Sequence, residues 1–413
     1  MAESVKSAVS GVLKYRWVIL GVCWLAYIVA FMQRLSIGPL APFLKDELNL
    51  TSAQAGLLMS AAAFGNVLMY TPAGWLADRV GVRRLLLIGE IVGGVFIASM
   101  FFINTLPQGL IFMALAGLGM GFLMPSTTKA VVEWFPVKER ATAMGLKQTA
   151  LNLGGIITAA TLPSVALAWS WRYGFLGIGI VGIIIGVISF ALYREPPRTT
   201  DSSTMTKAVR LPPKTSLREI FKSRDIWLVI FTGFCMCIVE WSVMAHFVLY
   251  AKEALLLSVV TAGLFLGLLE GGGAFARPLS GLISDRIYGG SRKWLYFLMC
   301  AVAAIASVIF AFLPLGSPTW IVVLLGFTLG VAGIGWAGLH LTLIGEFAGR
   351  ERAGVATGMA STITVIGNIV GPPVFGRLVD VTGSYRMSWQ FLAVAALVGA
   401  IALIFVREGK RRL

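Results

Sequence analysis

The sequence predicts an all-α integral membrane protein, with twelve transmembrane helices in two related halves of six. Three observations predict it. Of 413 residues, 57% are hydrophobic and 13% charged, with mean hydropathy +0.85, whereas soluble domains average about 25% charged residues. Apolar runs long enough to cross a hydrocarbon core of about 30 Å recur along the whole chain. The chain also repeats its loop motifs on either side of a polar break at 193–224. A transmembrane β-barrel is excluded, because the runs are continuous rather than alternating.

In order, the twelve runs are 17–44, 52–77, 82–104, 108–133, 139–166, 170–192, 225–253, 257–286, 292–315, 319–347, 351–380 and 384–406. The net charge of +15 has a topological explanation that removes any need for nucleic acid. With the amino terminus inside, 25 of the 34 Lys and Arg residues lie in inside segments, 4 lie outside and 5 fall within spans. That imbalance places both termini in the cytoplasm. The first apolar run is long enough to span and lacks a small-residue cleavage site, so the expected location is the inner (plasma) membrane, multi-pass, with no cleaved leader. Tyr15, Trp17, Trp169 and Trp320 near span ends fit interfacial anchoring. Cys23, Cys235, Cys237 and Cys300 all fall inside spans without the paired spacing of a metal site or disulfide framework.

The polar break is rich in Pro, Ser, Thr and basic residues and reads as a linker on the cytoplasmic surface. It divides the chain into an amino-terminal half (1–192), the linker (193–224) and a carboxy-terminal half (225–413). GWLADRVGVRR at 74–84, after span 2, is matched by GLISDRIYGGSRK at 281–293, after span 8. VEWFPVKERATAMG at 132–145, between spans 4 and 5, is matched by GEFAGRERAGVATG at 345–358, between spans 10 and 11. Two independent loop pairs therefore agree on a half-molecule repeat, the parallel arrangement whose halves can rock about a midplane site.

The GxLADRxGxRR loop and its degenerate copy resemble the signature of the major facilitator superfamily, over nearly the whole chain. WFPVKERATAMG, WRYGF at 171–175 and GPPVFGRLVDVTGSY at 371–385 are similar to the anion:cation symporter and cyanate-permease-like branches, which carry organic and inorganic anions. Physically, Asp78 at a cytoplasmic junction can pair with Arg79, Arg83 or Arg84, or sit against a helix amino terminus. The resemblance implies a conformational latch made of Gly74, Asp78, Arg79, Gly81 and Arg83, with Asp285 and Arg286 in the second copy. The alternative is a topological anchor alone. The resemblance also implies that spans 1, 4, 7 and 10 line a central cavity, with 2, 5, 8 and 11 beside them.

Ionisable groups within spans are the most informative, since each costs about 2.5–3.5 kcal/mol on insertion scales. Arg34, Lys129, Lys147 and Arg277 are candidate ligands for the anionic group of a substrate, and Glu240 and Glu270 are the candidate proton-coupling acids. At 1.5 Å per residue, Glu270 lies roughly 20 Å into span 8 and Arg277 about 30 Å in. Glu270 and Arg277 share one helix face, separated by Gly271, Gly272 and Gly273, and Pro278 gives span 8 a place to bend. Tyr27, Asn152, Trp336, His340 and Asn368, with Trp241 and His246, are the polar and aromatic residues able to orient a small anion. Excess cations would give the midplane a positive potential attractive to an anion. The competing arrangement pairs Lys129 with Glu133 and Arg277 with Glu270 or Glu240, leaving a site for a neutral solute. Many of the resembled symporters have an acid immediately before the span 1 arginine, where this chain has Gln33. Coupling to protons therefore falls to Glu240 or Glu270, while Glu90, on a span peripheral in the resembled fold, reads as structural.

No Walker A sequence, HExxH or metal-ligand cluster appears, so neither enzymatic activity nor a cofactor or metal is expected. The sequence thus predicts a secondary transporter of a small anion, most simply a carboxylate, working by alternating access as a monomer in the lipid bilayer with protons as co-substrate. Two rivals remain. One is a proton-driven exporter, disfavoured because 151–163 lacks the Gly-Pro pair usual at the end of span 5 in such antiporters. The other is a transporter-like sensor, disfavoured because no signalling domain is appended.

Overall fold

The computed structural model describes residues 2–195, 223–288, 290–349 and 353–407. Most of the expected linker at 193–224, and the basic residues Arg350 and Arg352, lie outside those residues. Among the described residues there are no strands, and twelve helical stretches are long and apolar enough to cross a membrane. The first six are Tyr15–Leu48, Ser52–Val80, Val82–Phe102, Leu106–Trp134, Thr142–Ala168 and Trp171–Leu192. The second six are Arg224–Glu253, Val259–Arg286, Lys293–Ala311, Thr319–Ala348, Ala356–Thr382 and Arg386–Ile404. They match the expected runs one for one and are numbered spans 1 to 12.

Three spans are broken, and prolines explain two features of these breaks. Span 1 consists of Ala2–Leu35 followed by Ile37–Leu48. Pro39 lies four residues beyond Leu35, and a proline ring clashes with the carbonyl four residues back while offering it no N–H. Span 11 is interrupted between Thr364 and Ile366. Within its outer piece, Pro373 leaves the carbonyl of Ile369 without a helical donor, and Ser60 Oγ of span 2 donates to that oxygen at 2.8 Å. Span 10 breaks at Gly335 and Trp336, between Thr319–Ile334 and Ala337–Ala348. Span 8, by contrast, runs as one helix through Pro278. The proline expected to bend it does not interrupt it.

The halves meet through spans 2 and 11, 5 and 8, and 1 and 7. Close approach requires glycine at these seams: a Cβ on Gly56 would meet the Pro372 carbonyl at 2.5 Å, and one on Gly376 would overlap the Ser52 backbone. On the halves of spans 2, 5, 8 and 11 nearer the basic loops, a Cβ on Gly74, Gly145, Gly281 or Gly358 would meet nothing within 4 Å. Each hydrogen bond and ion pair described between the halves lies at mid-depth or at the face opposite the basic loops. At that opposite face Lys45 pairs with Glu253 at 2.9 Å and Asp46 with Lys252 at 2.7 Å. Asp380 of span 11 accepts from the backbone N–H groups of Ser52 and Ala53, at 2.8 and 2.9 Å. These are the first residues of span 2, so a carboxylate from one half caps a helix of the other. The molecule is therefore sealed at the opposite face, with its seams parting toward the basic one.

Of these ties the Asp380 cap carries the most energy. The two ion pairs are partly exposed, and exposed pairs contribute about 0–1 kcal/mol. Hydrogen bonds to a charged group are worth about 1.5–3 kcal/mol each. Asp380→Ala should thus shift the equilibrium away from this closed face by roughly ten-fold or more. Spin labels at Gln54→Cys and Thr382→Cys should report a longer distance population in the Asp380→Ala background. An unchanged distribution would show that the cap does not hold the face shut.

Candidate functional site

Arg34 lies in the last turn of the first piece of span 1, two residues before the break at Ser36, and its side chain is buried in the protein interior at 4% exposure. Its guanidinium lies 3.6 Å from the centroid of the Trp241 ring, on span 7 of the other half. Such stacking is worth up to about 2 kcal/mol when desolvated, yet it satisfies no N–H. Nε and Nη2 of Arg34 have no hydrogen-bond partner. A narrow cavity opens beside them, lined by Tyr27, Phe31, Arg34, Asn66, Tyr70 and Met124 among others.

In the other half, Arg277 of span 8 meets Glu240 of span 7 at 3.6 Å, and Arg277 Nε is also without a partner. Glu240 accepts a hydrogen bond from Trp336 Nε1 at 3.1 Å. Trp336 sits in the break of span 10, and its ring stacks on Tyr296. Glu240 is within electrostatic reach of both Arg277 and Arg34. One carboxylate thus faces two guanidinium groups. Lys147 of span 5, 1% exposed, donates to Thr128 Oγ1 at 3.0 Å and Thr127 Oγ1 at 3.3 Å and stands 4.7 Å from the Tyr27 ring. It has no described carboxylate partner and adds to the positive potential on the same wall.

The remaining candidates are placed elsewhere. Lys129 does not join the arginines. It pairs with Asp78 at 2.7 Å and Glu133 at 3.7 Å, and also donates to the Ala77 carbonyl at 2.7 Å. Asp78 correspondingly pairs with Lys129 rather than with the expected Arg79, Arg83 or Arg84. Arg79 stacks on Trp75 at 3.9 Å, and Arg83 Nε donates to the Phe190 carbonyl at 2.6 Å. Lys129, on neighbouring span 4, reaches the end of span 2, while Arg79 in the last turn of span 2 lies over Trp75 and the turn at Gly81 (φ 87°) carries Arg83 and Arg84 onto span 3. In the second copy Asp285 pairs with Arg292 at 2.6 Å, and Arg286 is exposed. Gly74 faces open space.

Glu270 does not pair with Arg277. Its Oε2 accepts from Asn152 Nδ2 of span 5 at 2.8 Å, and Asn152 donates to the Glu270 carbonyl as well, at 3.2 Å. Asn152 is therefore occupied in joining the halves. Gly155 makes room for this tie, since a Cβ there would overlap the Glu270 carboxyl. His340 packs against Trp336, Tyr296 and the Gly233 position of span 7. Asn368, just past the break in span 11, is buried with its Oδ1 unpartnered. Asn66 and Tyr70 were not singled out from the sequence. Their four-residue spacing on span 2 was the available signal, but nothing local distinguishes it from packing.

Breaking a buried ion pair from one side costs about 3–5 kcal/mol, more than removing both partners, because it strands a charge. Glu240→Ala should lower thermal stability clearly, and the double variant Glu240→Ala/Arg277→Ala should recover part of the loss. Thermal scanning of purified protein, followed by size-exclusion, checks this. Equal loss in single and double variants would mean that Glu240 does not neutralise Arg277.

A family model described as Major Facilitator Superfamily matches residues 23–372 and 290–413. A protein of Cupriavidus necator described as "Probable sulfoacetate transporter" is 29% identical over 418 aligned residues, covering 95% of this chain and 94% of its own. The "Hexuronate transporter" of Bacillus subtilis is 25% identical and covers 93% of each chain. Among solved structures, a bacterial homolog of the human lysosomal transporter Spinster, in an inward-facing and occupied conformation, gives a TM-score of 0.77. It is 19% identical, covering 95% of this chain and 96% of its own. A D-xylose-proton symporter also gives 0.77, at 17% identity and coverage of 95% and 97%. At such identities the structural likeness establishes the fold.

Proposed function

Because this chain belongs to the major facilitator superfamily, we propose that it is a proton-coupled secondary transporter of a small organic anion bearing a carboxylate or sulfonate. The observation that carries the reading is that three guanidinium nitrogens around Glu240, Arg34 Nε and Nη2 and Arg277 Nε, are buried without an acceptor. Buried polar groups are nearly always hydrogen-bonded, and unmet ones call for an explanation. An anionic oxygen between the two arginines supplies it. The names of the relatives, a sulfoacetate and a hexuronate transporter, support an organic acid as cargo.

In this reading the positive-inside pattern of the loops sets both termini in the cytoplasm, and the seams parted toward the basic face correspond to an inward-facing state. The amino-terminal (1–192) and carboxy-terminal (225–413) halves rock against each other as a monomer within the bilayer. Arg34 and Arg277 bind the anionic group as planar forks, which a point-charge ammonium cannot imitate. Lys147 and Tyr27 form the flank, and Trp336 orients Glu240. A proton on Glu240 removes its claim on Arg277, so proton and anion load together. Glu270 is the second coupling acid, because its bond to Asn152 joins the halves and must break when they rock. Asp78 with Lys129, and Asp285 with Arg292, hold the basic-face junctions within each half in this state, and the latch expected at 74–84 and 285–286 belongs to the outward-open state.

The test is calorimetric affinity for sulfoacetate and for glucuronate, a hexuronate, in the wild type, Arg34→Lys and Arg277→Lys. Loss of a hydrogen bond to a charged group costs about 1.5–3 kcal/mol, so each substitution should weaken binding roughly ten- to hundred-fold with charge retained. Folded variants that bind as tightly as the wild type would reduce both arginines to structural charges.

A further inference from the structure

Glu90 of span 3 is fully buried, and neither carboxyl oxygen has a hydrogen-bond partner. Gln33 of span 1 is equally buried, and its amide oxygen and nitrogen are also unpartnered. The two side chains occupy the same spot. A Cβ on Gly182 of span 6 would overlap Gln33 Nε2 and stand 3.5 Å from Glu90 Oε2, and one on Gly93 of span 3 would stand 2.5 Å from Gln33 Oε1. Gly186, one turn along span 6, gives way to the Glu90 stem, where a Cβ would meet the Glu90 Cβ at 2.8 Å. At their ends spans 3 and 6 are tied by Arg83 on the Phe190 carbonyl and Arg172 on the Phe101 carbonyl, and the middle of the contact, around Gly94 and Gly179, needs no acid.

An ionised carboxylate in such a place would lack water, cation and donor, which costs several kcal/mol. Arg83 of span 3 itself is held by the Phe190 carbonyl and Arg16 of span 1 by Glu139, and the other charged groups named on the spans packed against span 3 are also engaged elsewhere. Arg34 of span 1 stacks on Trp241, Tyr27 faces Lys147, and Tyr70 of span 2 lines the cavity. Lys129 and Glu133 of span 4 pair with each other and Asp78, and Arg172 of span 6 binds Glu47 at 2.8 Å. Asp78 and Arg79, at the far end of span 2, are held by Lys129 and Trp75. Glu90 and Gln33 are thus neighbouring buried polar side chains, each without a described hydrogen-bond partner. Gln33 immediately precedes Arg34 in the last helical turn before the break in span 1. Its own carbonyl accepts Ser36 Oγ at 2.7 Å across that break.

We propose that Glu90 is a proton-binding site of the transport cycle, and that its charge is relayed through Gln33 to the orientation of Arg34. Binding one proton converts the carboxylate to the acid and removes one negative charge from behind the cavity wall. The neutral acid leaves the Gln33 amide beside an uncharged neighbour, whereas the carboxylate draws the Gln33 amide N–H toward itself and with it the helical turn that carries Arg34. The relay rests on the reading of Arg34 as an anion ligand, but proton exchange at Glu90 does not.

The test has two arms. In the first, infrared difference spectra of purified protein are recorded as pH is raised, without substrate. The wild type should lose a protonated-carboxyl stretch that is missing from Glu90→Gln and retained in Glu240→Gln and Glu270→Gln. A titration unaltered by Glu90→Gln overturns the proposal, as does an acid band at Glu90 that never titrates, because Glu90 is then a fixed structural acid. In the second arm, proteoliposomes accumulate sulfoacetate against an imposed pH gradient. Glu90→Gln is isosteric with the protonated acid and should keep counterflow within about threefold. Its accumulation ratio should fall by about tenfold per unit of pH gradient for the one proton lost. Glu90→Gln/Gln33→Glu, which moves the carboxyl to its partner, should restore accumulation. Undiminished accumulation in Glu90→Gln overturns the relay. The infrared arm uses no substrate and decides Glu90 even if sulfoacetate is not the cargo.

Discussion

Positive charge held at mid-membrane with too few acceptors is the constraint on which the rest of this structure depends. Glu240 is one carboxylate facing two guanidinium groups, and it is shared further with Trp336. Lys147 adds a third cation whose partners are hydroxyls and a ring. Each such group costs about 2.5–3.5 kcal/mol to place in a spanning helix, and aromatic stacking returns only part of that. The remainder leaves this part of the interior at positive potential.

Irregular backbone surrounds this charge. Spans 1, 10 and 11 are each broken, and Arg34, Trp336 and Asn368 lie within three residues of a break. A continuous helix repeats its side-chain directions every turn, whereas an interruption lets neighbouring residues serve different surfaces. Gln33 and Arg34 illustrate this, one set among spans 3 and 6 and the other against span 7. Carbonyls left free by proline are not wasted, as Ile369 shows by receiving Ser60 from the opposite half. Broken helices around midplane sites are common in transporters for the same reasons.

The seam between the halves is built to separate. Its glycines bring backbones together without interlocking side chains, and its strongest polar ties, Asp380 on span 2 and Asn152 on Glu270, sit at one end and in the middle. Within each half, by contrast, the basic-face contacts such as Lys129 with Asp78 hold neighbouring spans of the same half together. Rocking therefore exchanges a small set of hydrogen bonds between halves and leaves the packing inside each one intact.

The sequence by itself determined the class, the number and the limits of the spans, because hydrophobic length and loop charge are local properties that the bilayer reads directly. It also determined the half-molecule repeat and the short inventory of intramembrane charges from which any site had to be drawn. Which of those charges meet was decided only by the tertiary structure. Lys129 went to Asp78, Glu270 to Asn152, Glu240 to Arg277, and Asp380, which had carried no functional reading, became a helix cap across the halves. The physical reason is that a side chain's partner depends on helix rotation, on breaks such as that at Ser36, and on which spans glycine allows to approach. Those quantities come from packing between separate spans, and no local pattern encodes them.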